Sequence, residues 1–460
     1  MKANKRINPP TRDPKERIKD FLPCVLPYSE EDAIKEASRC LDCKDPLCVN
    51  GCPINNPIPE FINLIKEGKF LEAAQLIVEK GDVMPSVCGR VCQHEKQCEG
   101  ACILNKVGEP VAIGALEFFV GDKLLKELVE NKVSCVAKEK KGKKVALVGS
   151  GPASFACAFD LLNMGYEVDI YEKYKGILGG VPKYGIPDFR LERKIVDMYM
   201  KLLENKGARF IDGCEIGKDK LLKDLLKEYD AVFLGAGANK PYGMGIKGED
   251  LKGVYLALDF LFRSKFDQEN LKKELGKKLI VVGGGFTAID VARTAVRLGV
   301  EKVIIVYRRT QKEMPAGEKE VKEALEEGVE IWELHNPVEF IGENGKLKKV
   351  KLIKMRLGEP DSSGRRRPIP IEGSEFEVEV DNVVLAIGQE PDLKTILKGM
   401  ENEVKYHKKW NCLIVDENQM TNVPGLFAGG DIVRGSYNVI SAILDGRKAA
   451  KGIDKYLSNK

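Results

Sequence analysis

Twice in this chain a short apolar run ends in a glycine loop that opens a helix and leads to a second apolar run. The first copy reads KVALV (144–148), then GSGPAS (149–154), a helical stretch over 152–164 and a strand over 168–171. The second reads LIVV (279–282), then GGGFTA (283–288), a helical stretch over 287–298 and a strand over 303–306. Runs this short and this apolar suit strands covered on both faces, as parallel sheets require. Two βαβ units predict a doubly wound α/β protein with two nucleotide sites. The duplication lies at large spacing and is not a short-period solenoid.

The two loops carry the same frame with opposite chemistry at its end. In the first, Gly149 permits the tight turn and Gly151 lets backbone approach a pyrophosphate. Ser154 is small enough for close helix–strand packing, and the helix N-terminus offers N–H groups and partial positive charge. Glu172 ends the next strand, 21 residues beyond Gly151, where an acid accepts hydrogen bonds from both ribose hydroxyls. In the second loop, Gly283, Gly285 and Ala288 take the same places. There VYRR replaces IYEK, so Arg308 stands where Glu172 stood, with Arg309 beside it. Arginine there suits a 2′-phosphate. The first site is therefore expected to take FAD and the second NADP(H). The competing readings are a plain strand–helix turn and a solvated arginine pair.

Eight of the thirteen cysteines form two groups. One is C-x2-C-x4-C-x3-C-P: Cys40, Cys43, Cys48 and Cys52. The other is C-x3-C-x5-C-x3-C: Cys88, Cys92, Cys98 and Cys102. The closing C-P pair matches bacterial [4Fe–4S] motifs, although the x4 spacing departs from the usual run. Structural zinc competes, but it commonly uses two C-x2-C knuckles and only one is present. Eight thiols supply ligands for two [4Fe–4S] clusters. Spacing leaves open whether each group holds its own cluster or the last cysteine of a group crosses to the other. The remaining cysteines (Cys24, Cys135, Cys157, Cys214, Cys412) read as small buried hydrophobes.

Between the groups, PEFINLIKEGKFLEAAQLIVEKGD has helical spacing with stops at Gly68 and Gly81, a helical hairpin. A further helix is expected over 113–130, a charged linker over 136–143, and antiparallel strands with an exposed polar loop over 337–380. A buried strand over 382–387, a strand ending in LFAGGD (426–431) and a last helix over 437–457 complete the pattern. The 74 basic and 70 acidic residues nearly balance, so nothing argues for nucleic acid or an anionic membrane as partner. The N-terminus has no apolar signal region, and no apolar run reaches about 18 residues. The expectation is a cytoplasmic protein, in which lasting disulfides are disfavoured.

Taken in order, GSGPAS, GGVPKYGIPDFRL (179–191), VVGGGFTAIDVAR (281–293), VYRRTQKEMPA (306–316), AIGQEP (386–391), GLFAGGD (425–431) and the cysteine groups resemble the glutamate synthase small-subunit family. That family includes the large subunit of NADH-dependent ferredoxin:NADP oxidoreductase and the sulfide dehydrogenase flavoprotein subunit, and the N-terminal half of dihydropyrimidine dehydrogenase is similar. The resemblance spans about residues 20–455. It implies a helical iron–sulfur domain (1–139), a glutathione reductase-like FAD domain (140–242 and 378–460) and an NADP domain inserted in it (243–377). FAD contacts are implied at Gly149, Gly151, Pro152, Ser154, Glu172, Lys173, Gly180, Val181, Arg190, Gly237, Gly430, Asp431, Val439 and Ile440, with Gly446 over the flavin. NADP contacts are implied at Gly283, Gly285, Phe286, Thr287, Ala288, Asp290, Arg308 and Arg309.

The resemblance also implies crossed ligation. One cluster takes Cys40, Cys43, Cys48 and Cys102. The other takes Cys52, Cys92, Cys98 and a non-cysteine ligand at Glu117, with Cys88 as the alternative. An exposed helix glutamate is the competing reading of Glu117. Two departures stand out. Phe286 replaces the usual Asn, and no cysteine pair follows the FAD loop, so no disulfide acceptor is expected.

The implied chemistry is hydride exchange between NADP(H) and FAD, with single electrons passing through the clusters. Hydride transfer demands no side-chain acid or base, so no catalytic residue is named. Arg190 and Glu318 are candidates by motif position, against a surface ion pair. Three functions are weighed, and the first is favoured. The chain is the large subunit of a ferredoxin:NADP oxidoreductase, with or without electron bifurcation, beside a smaller flavin and iron–sulfur subunit. Alternatively it is the NADPH-dependent glutamate synthase small subunit feeding a large synthase subunit. The third reading is a zinc- and nucleotide-binding sensor.

Overall fold

A computed structural model describes residues 5–130, 139–361 and 364–459. Cys135, the start of the expected linker and the tip of the polar loop lie outside them. The helical hairpin forms as Ile58–Lys66 and Phe70–Lys80. Pro59 starts its first helix, and Phe61, Ile62 and Ile65 are wholly buried on one face. Gly68 ends it at φ +74°, a conformation that costs glycine little. The helix Ile113–Glu130 is buried on every side through Gly121, so it is the axis of this region.

The helix Pro85–Val91 lies directly against that axis. A Cβ on Gly89 would sit 2.5 Å from the Phe118 nitrogen, and one on Gly121 would sit 2.7 Å from the Ser86 nitrogen. The short helices Leu47–Asn50 and Cys98–Ala101 also touch backbone to backbone, since a Cβ on Gly51 would be 2.8 Å from the Gln97 oxygen.

Each nucleotide unit builds a five-stranded parallel sheet. The first runs Leu426–Ala428, Ala231–Leu234, Lys144–Val148, Glu167–Glu172, Arg209–Asp212. The second runs Val254–Leu256, Asn382–Leu385, Lys278–Val282, Lys302–Tyr307, Glu330–Glu333. The antiparallel ribbon His335–Glu343, Lys346–Pro360, Arg366–Pro370 and Phe376–Glu379 flanks the second sheet. One expected boundary moves. The strand Asn382–Leu385 belongs to the second sheet, not to the first domain that 378 was expected to reopen. Its four residues are buried on both faces, and only the slot between two parallel neighbours covers them so. The two chain crossings between the domains instead pair with each other, as Lys240–Pro241 and Gln389–Glu390.

A buried ion network ties the N-terminal segment to the second sheet's helices. The Glu327 carboxylate accepts from Arg17 Nε (2.6 Å), from Arg293 Nη2 (2.7 Å) and from Arg297 Nη1 (2.6 Å). Arg293 and Arg297 also lie 4.8 and 3.9 Å from the centre of the Phe189 ring, which belongs to the first domain. Burial opposes ionisation of Glu327, yet the hydrogen bonds from Arg297 and Arg293 outweigh it and bring its pKa to about 2. A carboxyl depressed in the folded state stabilises above its unfolded value and loses that contribution as pH falls through the folded one. Glu327→Gln is therefore expected to cost on the order of 3–5 kcal/mol at neutral pH, because it leaves buried guanidinium groups short of charge. In thermal melts the gap to the wild type should narrow between about pH 4.5 and pH 2; a gap independent of pH would refute this role.

Candidate active site and cysteine enclosures

The first glycine loop faces a cleft of about 260 Å³. Gly149, at φ +90°, is required by the protein itself, since a Cβ there would be 2.7 Å from the Gly235 oxygen. Gly151 differs, because its Cβ would meet only that oxygen, at 3.9 Å. Gly285 in the second loop would meet nothing within 4 Å. No protein atom forbids a side chain at Gly151 or Gly285, so both leave space that a pyrophosphate can use. Glu172 is buried at the cleft wall and accepts from Ser150 Oγ (2.6 Å), Ser150 N (3.2 Å) and Tyr174 N (3.1 Å). Gly180 crosses the loop so tightly that its Cβ would be 2.8 Å from the Gly151 Cα. Burial raises the Asp431 carboxyl to about 6.

Of the residues expected at FAD, Gly149, Gly151, Pro152, Glu172, Lys173, Gly180, Val181, Arg190, Gly237, Gly430, Asp431 and Val439 line this cleft. Ser154 lies behind it, fully buried. Ile440 does not face it. The helix Val439–Ser458 turns the Ile440 side chain into a cysteine enclosure. Gly446 packs against Ala153 on the helix Pro152–Asn163, where no Cβ fits. Of the residues expected at NADP, Phe286, Thr287 and Asp290 reach the same cleft, while Gly283, Gly285, Ala288, Arg308 and Arg309 lie outside its lining.

Arg190 is half of an ion pair, binding both Asp290 oxygens at 2.7 and 2.8 Å. Its guanidinium lies 5.6 Å from the centre of the Phe286 ring, so the unexpected phenylalanine supports it through a cation–π contact. Glu318 is exposed at the start of the helix Glu318–Glu326, outside the cleft.

The expected arginine pair separates. Arg309 is buried and committed, donating to the Arg366 oxygen and to Asp361 at 2.7 Å each. A folded strand end needed its charge inside the protein, which sequence position could not show. Arg308 reaches solvent and makes no ion pair among the described residues. Partial burial and then the like charge of Arg309 lower its pKa.

The eight grouped cysteines divide across their sequence groups. Cys40, Cys43, Cys48 and Cys102 line one enclosure of about 260 Å³, with Ile58, Ile62 and Ile113. Cys52, Cys88, Cys92 and Cys98 line a second, tighter one of about 10 Å³, with Glu117, Asn56, His94 and Ile440. The two short helices touch where the groups cross, at Gly51 directly before Cys52 and Ala101 directly before Cys102. Glu117 is buried, not exposed, and accepts from Asn56 Nδ2 at 2.6 Å. Every cysteine among the described residues is a free thiol. Among those residues no three metal-binding side chains gather around one point. Four thiols to an enclosure is the donor number that a [4Fe–4S] cluster uses. Burial pushes the Cys48 and Cys52 thiols up to about 12, so a metal binding there must displace protons.

Known proteins match this sequence over nearly its whole length. A family profile for dihydropyrimidine dehydrogenase domain II, 4Fe-4S cluster, matches residues 17–129, and one for pyridine nucleotide-disulphide oxidoreductase matches 143–446. The glutamate synthase [NADPH] small chain of Escherichia coli is 39% identical, covering 98% of this chain and 97% of its own length. The chain belongs to the glutamate synthase small-chain family. It is an NADPH-dependent FAD and [4Fe–4S] oxidoreductase. Another family relative, the NADPH-Fe(3+) oxidoreductase subunit beta of Geobacter sulfurreducens, is 38% identical over 89% of this chain and 63% of its own. FprA from Mycobacterium tuberculosis in complex with NADPH shares the fold at TM-score 0.59 and 22% identity, over 69% of this chain and 85% of that one. No helix among the described residues is long and apolar enough to cross a membrane.

Residues that the motifs did not mark also reach these spaces. Val91 and Gln93 line the cleft from either side of Cys92, and Asn56 and His94 line the second enclosure. Their only signal was lying within four residues of a cysteine. Gly151→Val and Gly285→Val each put a Cβ where no protein atom lies closer than 3.9 Å. Both variants are expected to melt as the wild-type apoprotein does. Gly151→Val should bind FAD at least ten-fold more weakly by fluorescence titration, and Gly285→Val should keep FAD while its NADPH KM rises at least ten-fold. Unchanged binding would mean that the loops hold no pyrophosphate.

Proposed function

We propose that the chain is the NADPH-oxidising subunit of a two-subunit enzyme. FAD would occupy the cleft, one [4Fe–4S] cluster each enclosure, and NADPH the second glycine loop. When bound, FAD converts two-electron exchange with the nicotinamide into single-electron exchange with the clusters. The protein supplies positions. One observation carries this reading, namely that the three cavities share walls. Val439 lines the cleft and its neighbour Ile440 the second enclosure. Ile58 and Ile113 line both enclosures. The first enclosure then opens at Leu41 and Leu47, which are 58% and 44% exposed. Exposed leucines at the rim of a redox site suit a protein partner.

The match to glutamate synthase small chains over nearly the full length of both proteins favours a large synthase subunit as that partner. The ferredoxin-linked assembly, with its smaller flavin and iron–sulfur subunit and the option of bifurcation, is the second reading. The oxidoreductase beta-subunit relatives favour it. At the nucleotide, Arg308 would meet the 2′-phosphate while Arg309 shapes the strand end behind it. Arg308→Glu should raise the NADPH KM at least ten-fold and leave the NADH KM within two-fold, and equal effects on both would remove Arg308 from the site.

Anaerobically purified protein should contain about eight iron and eight sulfide for two clusters, beside one FAD, and NADPH should bleach the flavin. Stoichiometric zinc without sulfide would refute the reading. Adding a large synthase subunit should then give NADPH-dependent turnover; turnover only with a ferredoxin would support the second reading.

A further inference from the structure

The second enclosure holds five side chains able to bind iron, where a [4Fe–4S] cluster takes four: Cys52, Cys88, Cys92, Cys98 and Glu117. Resting on the cluster assignment above, we propose that Cys88 is a reserve ligand. It stands by as a thiol while Glu117 completes the cluster, and it takes the fourth iron when the Glu117 carboxylate is withdrawn.

The placement of Cys88 is fixed by packing. It lies on Pro85–Val91 one turn before Cys92, the residue that ends that helix, and both line the second enclosure. The backbone contacts at Gly89 and Gly121 press that helix against Ile113–Glu130 and bring Cys88 to Glu117. Cys88 is 1% exposed and cannot retreat to solvent. Cys92 and Asp82 both lie beside its thiol, which also feels the Glu117 charge. Glu117 is held by Asn56 Nδ2, whose own carbonyl oxygen accepts from Asp82 N at 2.8 Å.

A proton acceptor is also present. Asp82 is buried and lies beside the Cys88 thiol. When the iron–oxygen bond to Glu117 is lost, an iron–sulfur bond to Cys88 forms, and the thiol proton passes to the Asp82 carboxylate. No electron moves, and the count of four ligands is kept.

Iron, acid-labile sulfide and FAD content of the anaerobic full-length protein, with EPR of its reduced and oxidised forms, test this. Cys88→Ser should match the wild type at about eight iron per chain. Glu117→Ala should also keep about eight, with a changed EPR signal from the second cluster because sulfur replaces oxygen. The Cys88→Ser/Glu117→Ala double variant should fall to about seven and show a three-iron signal on oxidation. If Glu117→Ala alone shows the three-iron signal, Cys88 does not bind and the proposal is overturned. If Cys88→Ser alone loses iron, Cys88 is a resident ligand and the proposal is equally overturned. Should the double variant fail to retain FAD and fold, Glu117→Asp replaces Glu117→Ala, since it keeps the charge but shortens the reach. Its EPR change should vanish or become three-iron only in the Cys88→Ser background, and an identical signal in both backgrounds would overturn the proposal. A wild type without iron and sulfide would refute the cluster assignment itself.

Discussion

The redox core depends on backbone contact where two short helices leave no room for a Cβ. At Gly51 the helix Leu47–Asn50 meets Cys98–Ala101, and the two cysteine groups exchange their last members across that point. A larger side chain would separate the helices and pull Cys52 from Cys98 and Cys102 from Cys48. The same device recurs at Gly89 and Gly121, which press Pro85–Val91 onto the central helix. Four thiols from distant segments can face one cavity only if the backbone carrying them comes this close.

Around that core, charged groups do the joining between domains. Arg447 on the last helix donates to the Gly81 oxygen at 2.5 Å and to Asp160 at 3.0 Å, so it holds the end of the helical hairpin against the first domain. Glu95, in the loop between Cys92 and Cys98, presses against the start of the second domain's helix, where its Oε1 leaves no room for a Cβ on Gly317. Lys96 beside it donates to the Pro315 oxygen at 3.1 Å. Arg190 and Asp290 span the cleft between the two nucleotide units. The loop between Cys92 and Cys98 is thereby attached to the domain of the second glycine loop.

Much of this was legible in the sequence because it is local. The strand Lys144–Val148 and the helix Ile113–Glu130 appear where their apolar patterns end. Gly68 stops a helix, as its position after the periodic run implied. Other features were not local. Asn382–Leu385 reads as a buried strand, but which sheet takes it depends on where Val254–Leu256 leaves a slot. Arg309 occupies the position of a nucleotide-binding arginine, yet a ribbon more than 50 residues later brings Asp361 to it. Ile440 follows Val439 in the chain, but on a helix they face different cavities.

Sequence by itself determined the kinds of chemistry: two dinucleotide loops, one followed by an acid and the other by arginine, and eight thiols in two short groups. These are properties of neighbouring residues and survive in any arrangement of the chain. Tertiary structure alone decided the partnerships. It split the cysteines across their groups, buried Glu117 beside Cys88, and set the flavin cleft and both enclosures wall to wall. Those outcomes follow from how closely separate helices can pack, and helix contact is a property of surfaces that the linear order of residues does not contain.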